Sequence, residues 1–162
     1  IPQIQAIGEA VFQRYGDELM AGIYSFPGWA KLAEIPEEDL RLLKMGYRAK
    51  YISQSAKFIK DQPGWLESIP QKKYVDAKNE LLKLPGVGAK IADCTLLFGG
   101  NFLEAFPIDT WIEKSLEKRY SLEGWSTSQK THFARVHFGK FAGLAQQFLF
   151  SAERLGILDK HS

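Results

Sequence analysis

The stretch LPGVGAK, residues 84–90, places a proline and two glycines between two helical patterns and follows them at once with a lysine. Glycine at positions 86 and 88 lets the backbone turn tightly and leaves amide N–H groups without side chains in front of them. Mostly apolar residues on both sides would pack the two helices against each other: Leu81, Leu82, Leu84, Ile91, Ala92, Thr95 and Leu96. The stretch therefore predicts a helix-hairpin-helix with its tip outside the helix pair.

The hairpin tip has a plain interpretation and a functional one. An isolated proline–glycine pair more often merely ends a helix. A helix N-terminus with free amides also suits a phosphate, because the helix dipole and the N–H groups attract an anion irrespective of base sequence. Helix-hairpin-helix motifs are typical of such backbone contact with DNA, and polymerases, ligases and nucleases share them. The hairpin thus indicates binding, and chemistry has to come from its neighbours.

The remainder of the chain is predicted to be one all-α domain with short connections. Periodicity, proline and acidic starts, and glycine stops delimit helices over residues 3–15, 36–46, 47–60, 73–84, 90–98, from Asp109 onward, 128–138 and 140–155. Strand patterns are nearly absent, and residues 103–108 form at most a short extended passage. Asp109 precedes Trp111 and Ile112 as a helix N-cap would.

Composition bounds the class of protein. The 162 residues suffice for a core without cross-links. The single cysteine, Cys94, excludes an intramolecular disulfide, a Cys-based zinc finger and a four-cysteine iron–sulfur cluster. A net charge of +2 permits a DNA partner without requiring one. No apolar run reaches the roughly 20 residues that a membrane span needs. We expect a soluble protein from a reducing, intracellular setting.

Lys90 and Asp109 are the candidate catalytic residues. An amine can attack an electrophilic sugar carbon, and the positive end of the helix dipole together with partial burial would favour its neutral, nucleophilic form. A carboxylate nearby can stabilise the positive charge of an oxocarbenium-like sugar and help activate the amine. Each residue also has a plain alternative, Lys90 as a surface lysine and Asp109 as a simple N-cap.

The segment LPGVGAKIADC, followed by FPID at 106–109, resembles the signature of the base-excision DNA glycosylases. Lysine at position 90 resembles the bifunctional glycosylase/lyase branch, and IADC resembles the 8-oxoguanine DNA glycosylases. The match extends through GYRAKYIS at 46–53 and FAGLAQQFLFSAE at 141–153. The resemblance implies an all-α, helix-hairpin-helix DNA glycosylase fold over residues 1–162, with the hairpin at 84–90 and the first and last helices forming a separate lobe.

The resemblance also implies site residues by position. Lys90 would form a Schiff base with the sugar, and Asp109 would be the catalytic carboxylate. The flipped base would lie between Cys94 and Phe150 and bond through its Watson–Crick edge to Gln146, because a base must leave the stack before its glycosidic carbon can be reached. Cys94 as a small buried hydrophobe is compatible with that pocket. DNA contacts would come from Tyr47 and Arg48 at the orphaned opposite base, and from the amides of Gly86, Val87, Gly88 and Lys90 at phosphates.

Departures from the family pattern bear on specificity. Trp111 stands where animal members have a phosphate-contacting histidine, and Gln3 aligns with an arginine for the estranged cytosine. We therefore expect the phosphate contact to differ and the preference for cytosine opposite the lesion to be weaker. The family pattern also includes an N-terminal β domain and an asparagine wedge ahead of the matching region. Both are absent from this sequence, so we expect a helical unit that discriminates 8-oxoguanine from guanine poorly.

The implied function is base-excision DNA repair, with excision of 8-oxoguanine and cleavage of the abasic strand by β-elimination. The expected partner is double-stranded DNA containing oxidised guanine or an abasic site, bound by a monomer with no membrane partner. The expected location is the cytoplasm or nucleoid of a prokaryote or the nucleus of a eukaryote. No cofactor or catalytic metal is expected, and a structural cation would be held by hairpin carbonyls.

Other classes fit the sequence less well. The main alternative is a catalytically silent helix-hairpin-helix DNA-binding module. Endonuclease III and adenine-glycosylase relatives need four cysteines, and alkylation-repair glycosylases generally lack the lysine. A Cys/His hydrolase is poorly supported, because His132, His137 and His161 have no motif relation to Cys94.

Overall fold

The structure is a computed structural model that describes residues 2–157, and helices dominate this part of the chain. The helices are α1 (Pro2–Tyr15), α2 (Trp29–Glu34), α3 (Glu37–Leu40), α4 (Arg48–Lys60), α5 (Trp65–Ser68), α6 (Tyr74–Leu81), α7 (Ala89–Phe98), α8 (Thr110–Tyr120), α9 (Thr127–Phe138) and α10 (Ala142–Arg154). Short 3-10 turns lie at Ile69–Gln71 and Gly139–Phe141, and a π-type turn lies at Arg41–Met45. The predicted all-α class is confirmed.

Three helical segments differ from the predicted ones. The helix predicted over 36–46 is divided into α3 and the π-type turn, where Lys44 has a left-handed φ of 63°. Helices α2 and α5 were not predicted, because six and four residues are too few to display helical periodicity.

A small β-hairpin lies between α1 and α2, and its two short strands agree with the expectation that strands are nearly absent. Strand β1 (Glu18–Met20) pairs antiparallel with β2 (Ile23–Tyr24), with Glu18 opposite Tyr24. Gly22 between them has φ of 78°, the left-handed conformation that a tight hairpin needs. Strands of three and two residues carry too little alternation of polar and apolar residues to be recognised from sequence.

The chain divides into two compact units. The first comprises Ile1–Ser68 and Leu84–Gly86, and the second comprises Ile69–Lys83 and Val87–Ser162. Helix α1 therefore belongs to the first unit and α10 to the second. This division differs from the predicted lobe composed of the first and last helices.

In the first unit, α2 packs along α4 over an apolar core. The buried members of this core are Val11, Leu32, Ala33, Ile35, Leu40, Met45, Ala49 and Ala56. Ala49 and Ala56 of α4 are fully buried, and their small side chains let α2 approach closely. Tyr47 and Arg48, where this helix begins, are exposed.

The second unit packs α8, α9 and α10 around another apolar core. Its buried members are Phe106, Ile108, Ile112, Leu116, Leu122, Ala134 and Ala142. Lys130 of α9 is buried, and its ammonium donates to Glu113 at 2.9 Å and Glu117 at 2.6 Å on α8. These two acceptors raise the pKa of Lys130, because they stabilise its charged form. The ion pairs hold α9 on α8 and so fix the helix that begins at Asp109.

No helix within residues 2–157 has both the length and the apolar character needed to cross a membrane. Over the same residues, His, Cys, Asp and Glu side chains form no group of three or more that could hold a metal ion.

Candidate active site

The hairpin has the backbone that its glycines predict. Gly86 has φ of 76°, a conformation that L side chains rarely adopt. Gly88 is extended, with φ of −93° and ψ of 178°, and it is the N-cap residue of α7. It has no side chain to accept a hydrogen bond from the first turn of α7. The leading N–H groups of α7 therefore have no side-chain cap, and an anion can take that place.

Lys90 lies in the first turn of α7 with an exposed side chain. The predicted position at a helix N-terminus is the one observed, whereas the predicted partial burial is wrong. An exposed amine is open to a substrate, and it lies beside the uncapped N–H groups that suit a phosphate.

Cys94 follows Lys90 by about one helical turn and is half-buried. Burial raises the pKa of its thiol, the positive charge of Lys90 lowers it, and the charges of Asp93 and Asp109 raise it. Because burial is the largest cause, the thiol stays protonated near neutral pH. Lys90 and Asp109 thus both lie within electrostatic range of the Cys94 sulfur.

Asp109 is the N-cap of α8, as predicted. Its Oδ1 accepts hydrogen bonds from the backbone N–H groups of Trp111 at 3.0 Å and Ile112 at 2.9 Å. Both bonds use the same carboxylate oxygen, so Oδ2 takes no part in capping. The residue can therefore cap its helix and offer a carboxylate oxygen to a substrate at the same time.

The remaining predicted pocket residues lie on α10. Gln146 is buried, its Nε2 donates to the carbonyl of Pro107 at 3.1 Å, and its Oε1 accepts from the side chain of Gln147. Phe150 is partly buried and packs against the core of the second unit. The role of both residues toward a flipped base stays a prediction.

The two residues predicted to contact the opposite base lie in the first unit. Tyr47 is 65% exposed, and the guanidinium carbon of Arg48 lies 4.7 Å from the centroid of its ring. The ring of Tyr51, about one turn further along α4, meets Tyr47 edge-on at 6.3 Å. An exposed aromatic ring with a cation over it is a suitable surface for contact with nucleic-acid bases.

The positions that depart from the family pattern are exposed. Gln3 lies on α1 and lines an apolar cleft together with Leu42 and Lys44. Trp111 lies in the first turn of α8, and the ammonium of Lys114 is 5.9 Å from its ring centroid. These positions offer an amide and an aromatic–cation pair in place of the arginine and histidine of the family pattern.

The histidines take no part in this arrangement within the part of the chain that the structure describes. His132 is exposed, and His137 stacks on Phe133 with ring centroids 5.2 Å apart. His161 lies outside the described residues.

Sequence reasoning missed a buried charge on α7. Asp93 is 2% exposed, and it accepts from the Tyr74 hydroxyl at 2.7 Å and from the Lys78 ammonium at 2.7 Å. Burial and the carboxylate of Asp93 raise the pKa of the Tyr74 phenol. Arg135 covers the ring of Tyr74, with its guanidinium carbon 3.8 Å from the centroid. This network joins α6 to α7, and its sequence signal is an acid inside the mostly apolar run IADCTLLF.

Comparison with known proteins identifies the family of this chain. The family described as HhH-GPD superfamily base excision DNA repair protein matches residues 3–138, a range that contains the hairpin, Lys90 and Asp109. The chain belongs to this superfamily. The predicted helix-hairpin-helix DNA glycosylase fold is thereby confirmed.

Individual relatives are similar over most of this chain. It is 37% identical over 123 residues to a probable N-glycosylase/DNA lyase from Methanothermobacter thermautotrophicus, a match that covers 75% of this chain and 39% of the relative. It is 35% identical over 143 residues to the N-glycosylase/DNA lyase OGG1 of Arabidopsis thaliana, covering 80% of this chain and 39% of that protein.

A solved structure of a DNA glycosylase/lyase also resembles this chain over most of its length. The 8-oxoguanine glycosylase/lyase of Clostridium acetobutylicum, bound to double-stranded DNA with cytosine opposite 8-oxoguanine, matches with a TM-score of 0.87 and 32% identity. That match covers 96% of this chain and 55% of the other. The chain thus spans about two fifths of the two curated relatives and about half of the solved one.

Proposed function

We propose that this chain acts in base-excision repair as a bifunctional DNA glycosylase and abasic-site lyase whose substrate is 8-oxoguanine in duplex DNA. The observation that carries the proposal is the exposed amine of Lys90 at an uncapped helix start, within electrostatic range of a thiol whose pKa also responds to Asp109. Membership of the superfamily and the names of the similar proteins support the same reaction class.

The chemistry follows from the two candidate residues. The Lys90 nitrogen attacks C1′ of the damaged nucleotide, and the bond from C1′ to the base breaks with its electron pair going to the base, which takes up a proton. Opening of the sugar ring then leaves a Schiff base between Lys90 and C1′. Loss of a C2′ proton then forms a C2′=C3′ double bond as the C3′–O bond breaks, and the downstream strand leaves with the electron pair of that bond and the phosphate at its 5′ end. Asp109 stabilises the positive charge that develops on the sugar through the oxygen that capping leaves unused.

The base pocket would use Cys94, Gln146 and Phe150. Gln146 can bond a base without giving up its present partners, because an amide has two N–H donors and two lone pairs on its oxygen. The protonated thiol of Cys94 is apolar enough to lie against the face of a base. Phe150 would supply the opposite face.

The DNA partner would be held at two places. The amides of Gly86, Val87 and Gly88 would bind phosphates, and Tyr47 with Arg48 would contact the base left unpaired. The proposed activity places the protein wherever the cell keeps its DNA. A structural cation on hairpin carbonyls is part of the same proposal: the carbonyls of residues 84–87 accept no backbone hydrogen bond from the described residues, and hard cations prefer oxygen ligands.

Borohydride trapping tests the proposal. The chain is incubated with duplexes carrying either 8-oxoguanine or an abasic site, and borohydride reduces any Schiff base to a permanent bond between protein and DNA. We expect trapping with the unaltered chain and none with Lys90→Gln, because glutamine has no amine to attack C1′. Lys90→Gln should still bind the duplex, since the hairpin amides remain.

Lys83→Gln is the matched control, because Lys83 is another exposed lysine close to the hairpin. It should trap as the unaltered chain does. Trapping by Lys90→Gln at the unaltered level would assign the nucleophile to another residue. Binding of both duplexes without trapping or strand cleavage would instead identify a catalytically silent DNA-binding module.

A further inference from the structure

Gly86 at the hairpin tip and Tyr51 on α4 are in close contact within the first unit. A Cβ added to Gly86 would lie 2.5 Å from Cδ2 of the Tyr51 ring and 2.9 Å from its Cβ, distances too short for any side chain. Glycine is therefore required at position 86 for two reasons, the left-handed φ of 76° and the ring against its backbone. The contact leaves the backbone of Gly86 with Tyr51 as its lateral support.

The same ring contacts the residues proposed to enter the DNA. Tyr51 meets Tyr47 edge-on at 6.3 Å, and Arg48 covers the ring of Tyr47 at 4.7 Å. Gly86, Tyr51, Tyr47 and Arg48 thus form a continuous series of contacts from a proposed phosphate site to the proposed reader of the opposite base. Tyr51 is the member that contacts both Gly86 and Tyr47.

A space-filling role alone does not explain the placement of Tyr51. Its side chain is 39% exposed and does not belong to the core of the unit. Buried alanines already pack the inner face of α4. This partly exposed ring contacts two candidate DNA-contacting groups. A role in holding these two groups at a fixed distance explains its placement better than packing of the core does.

We propose that Tyr51 is a positioning residue that sets Gly86 and Tyr47 at the spacing required to hold a phosphate and an unpaired base of the same duplex. The inference rests on the proposed function, because it assumes that both groups contact DNA. Intact duplex offers phosphates but no unpaired base, so it engages the hairpin alone. A duplex with an abasic site engages both groups, and only this second mode needs the spacing that Tyr51 sets.

The test measures the dissociation constant of the chain for an intact duplex and for the same duplex with a tetrahydrofuran abasic analogue, which cannot react with an amine. Their ratio is the gain from the unpaired base. We expect Tyr51→Leu to lower the gain by about tenfold, the upper range for one aromatic pair, with little change for intact duplex. Tyr51→Phe keeps the ring and should keep the gain. Tyr47→Ala should remove the gain, and adding Tyr51→Leu to it should have no further effect.

Phe58→Leu is the matched control, because it removes another ring from α4 that pairs edge-on with Trp65 at 5.1 Å. It should leave the gain unchanged. If Tyr51→Leu does not fold, Tyr51→Met also removes the ring, keeps an apolar side chain of similar length and should lower the gain as well. Full gain in folded Tyr51→Leu or Tyr51→Met, or independent effects of Tyr51→Leu and Tyr47→Ala, would overturn the inference alone. No gain in the unaltered chain would overturn it together with the proposed DNA contacts, whereas trapping tests the catalytic proposal separately.

Discussion

Helices α7 and α8 begin in opposite ways, although both belong to the second unit. Helix α7 begins at Gly88, which has no side chain to cap the first N–H groups. Helix α8 begins at Asp109, whose carboxylate accepts from two of its leading N–H groups. The first four N–H groups of a helix have no intrahelical partner. A side chain caps such groups at the start of α8, and none does so at the start of α7.

The difference separates binding from chemistry. The uncapped N–H groups at the start of α7 suit a phosphate, and the amine of Lys90 lies beside them. At the start of α8 the Asp109 carboxylate already accepts from the leading N–H groups, so a second anion would bind there only weakly. That carboxylate is instead fixed in position, with one oxygen left for the reacting sugar. Removing the charge from the α8 start, or adding a charged cap to the α7 start, tests this division.

The largest effect is expected from Asp109→Asn, which retains the cap of α8 and removes its charge. Asparagine caps about as well as aspartate, so the melting temperature should change little. Strand cleavage at an abasic site should slow by about a hundredfold or more if the charge stabilises the transition state. The measurement is the single-turnover rate of cleavage, together with thermal unfolding of the same protein.

Ser126→Ala is the control for this prediction. Ser126 caps α9 through a capping box with Gln129, far along the chain from the candidate catalytic residues. Its replacement should lower the free energy of unfolding by about 1 kcal/mol and leave the cleavage rate unchanged. Normal cleavage by folded Asp109→Asn would leave Asp109 with the capping role alone.

A smaller effect is expected from Gly88→Asp, which gives α7 the kind of start that α8 has. The extended backbone at Gly88 is the conformation of an N-cap, and no heavy atom beyond the adjacent residues lies within 4 Å of an added Cβ. The new carboxylate would occupy the free N–H groups and repel phosphate. Duplex affinity should fall by about tenfold, and its dependence on salt should weaken, because fewer counterions are released. Thermal stability should rise slightly.

Gly88→Ala adds a Cβ in the same open space without a charge. It should weaken binding only slightly, and to the same degree for damaged and undamaged duplex, because backbone contacts do not read bases. Equal affinities of Gly88→Asp and Gly88→Ala for duplex, measured by fluorescence anisotropy at two salt concentrations, would show that phosphate is not held at this helix start.

Features that depend on neighbours in the sequence were predictable. The N-cap at Asp109 and the turn at Gly86 follow from residues within one helical turn, and both appear as predicted. The long helices follow from periodicity because each has an apolar face to bury. The place of Lys90 at the start of α7 follows from the same local signals.

Features that depend on partners distant in the sequence were not predictable. Asp93 finds Tyr74 and Lys78 on another helix, and Tyr51 meets Gly86 through packing of the first unit. The residues next to Asp93 or Tyr51 in the sequence do not indicate which residues these two contact. The exposure of Lys90 likewise depends on how the unit packs rather than on residues beside it, which is why its predicted partial burial was wrong.

The smallest effect is expected at Cys94, whose thiol pKa depends on charges at the starts of both α7 and α8. The positive charge of Lys90 lowers its pKa and the negative charge of Asp109 raises it, against a larger rise caused by burial. Only the thiolate reacts with iodoacetamide, a neutral reagent, so Asp109→Asn should react faster than the unaltered chain and Lys90→Gln more slowly, each by about two- to threefold below the thiol pKa. Because Cys94 is the sole cysteine, total alkylation reports on it alone. The three proteins should react at the same rate when unfolded in urea, where the two charges no longer lie near the sulfur. Identical rates in the folded proteins, or a reversed order, would mean that the α7 and α8 starts do not face a common site.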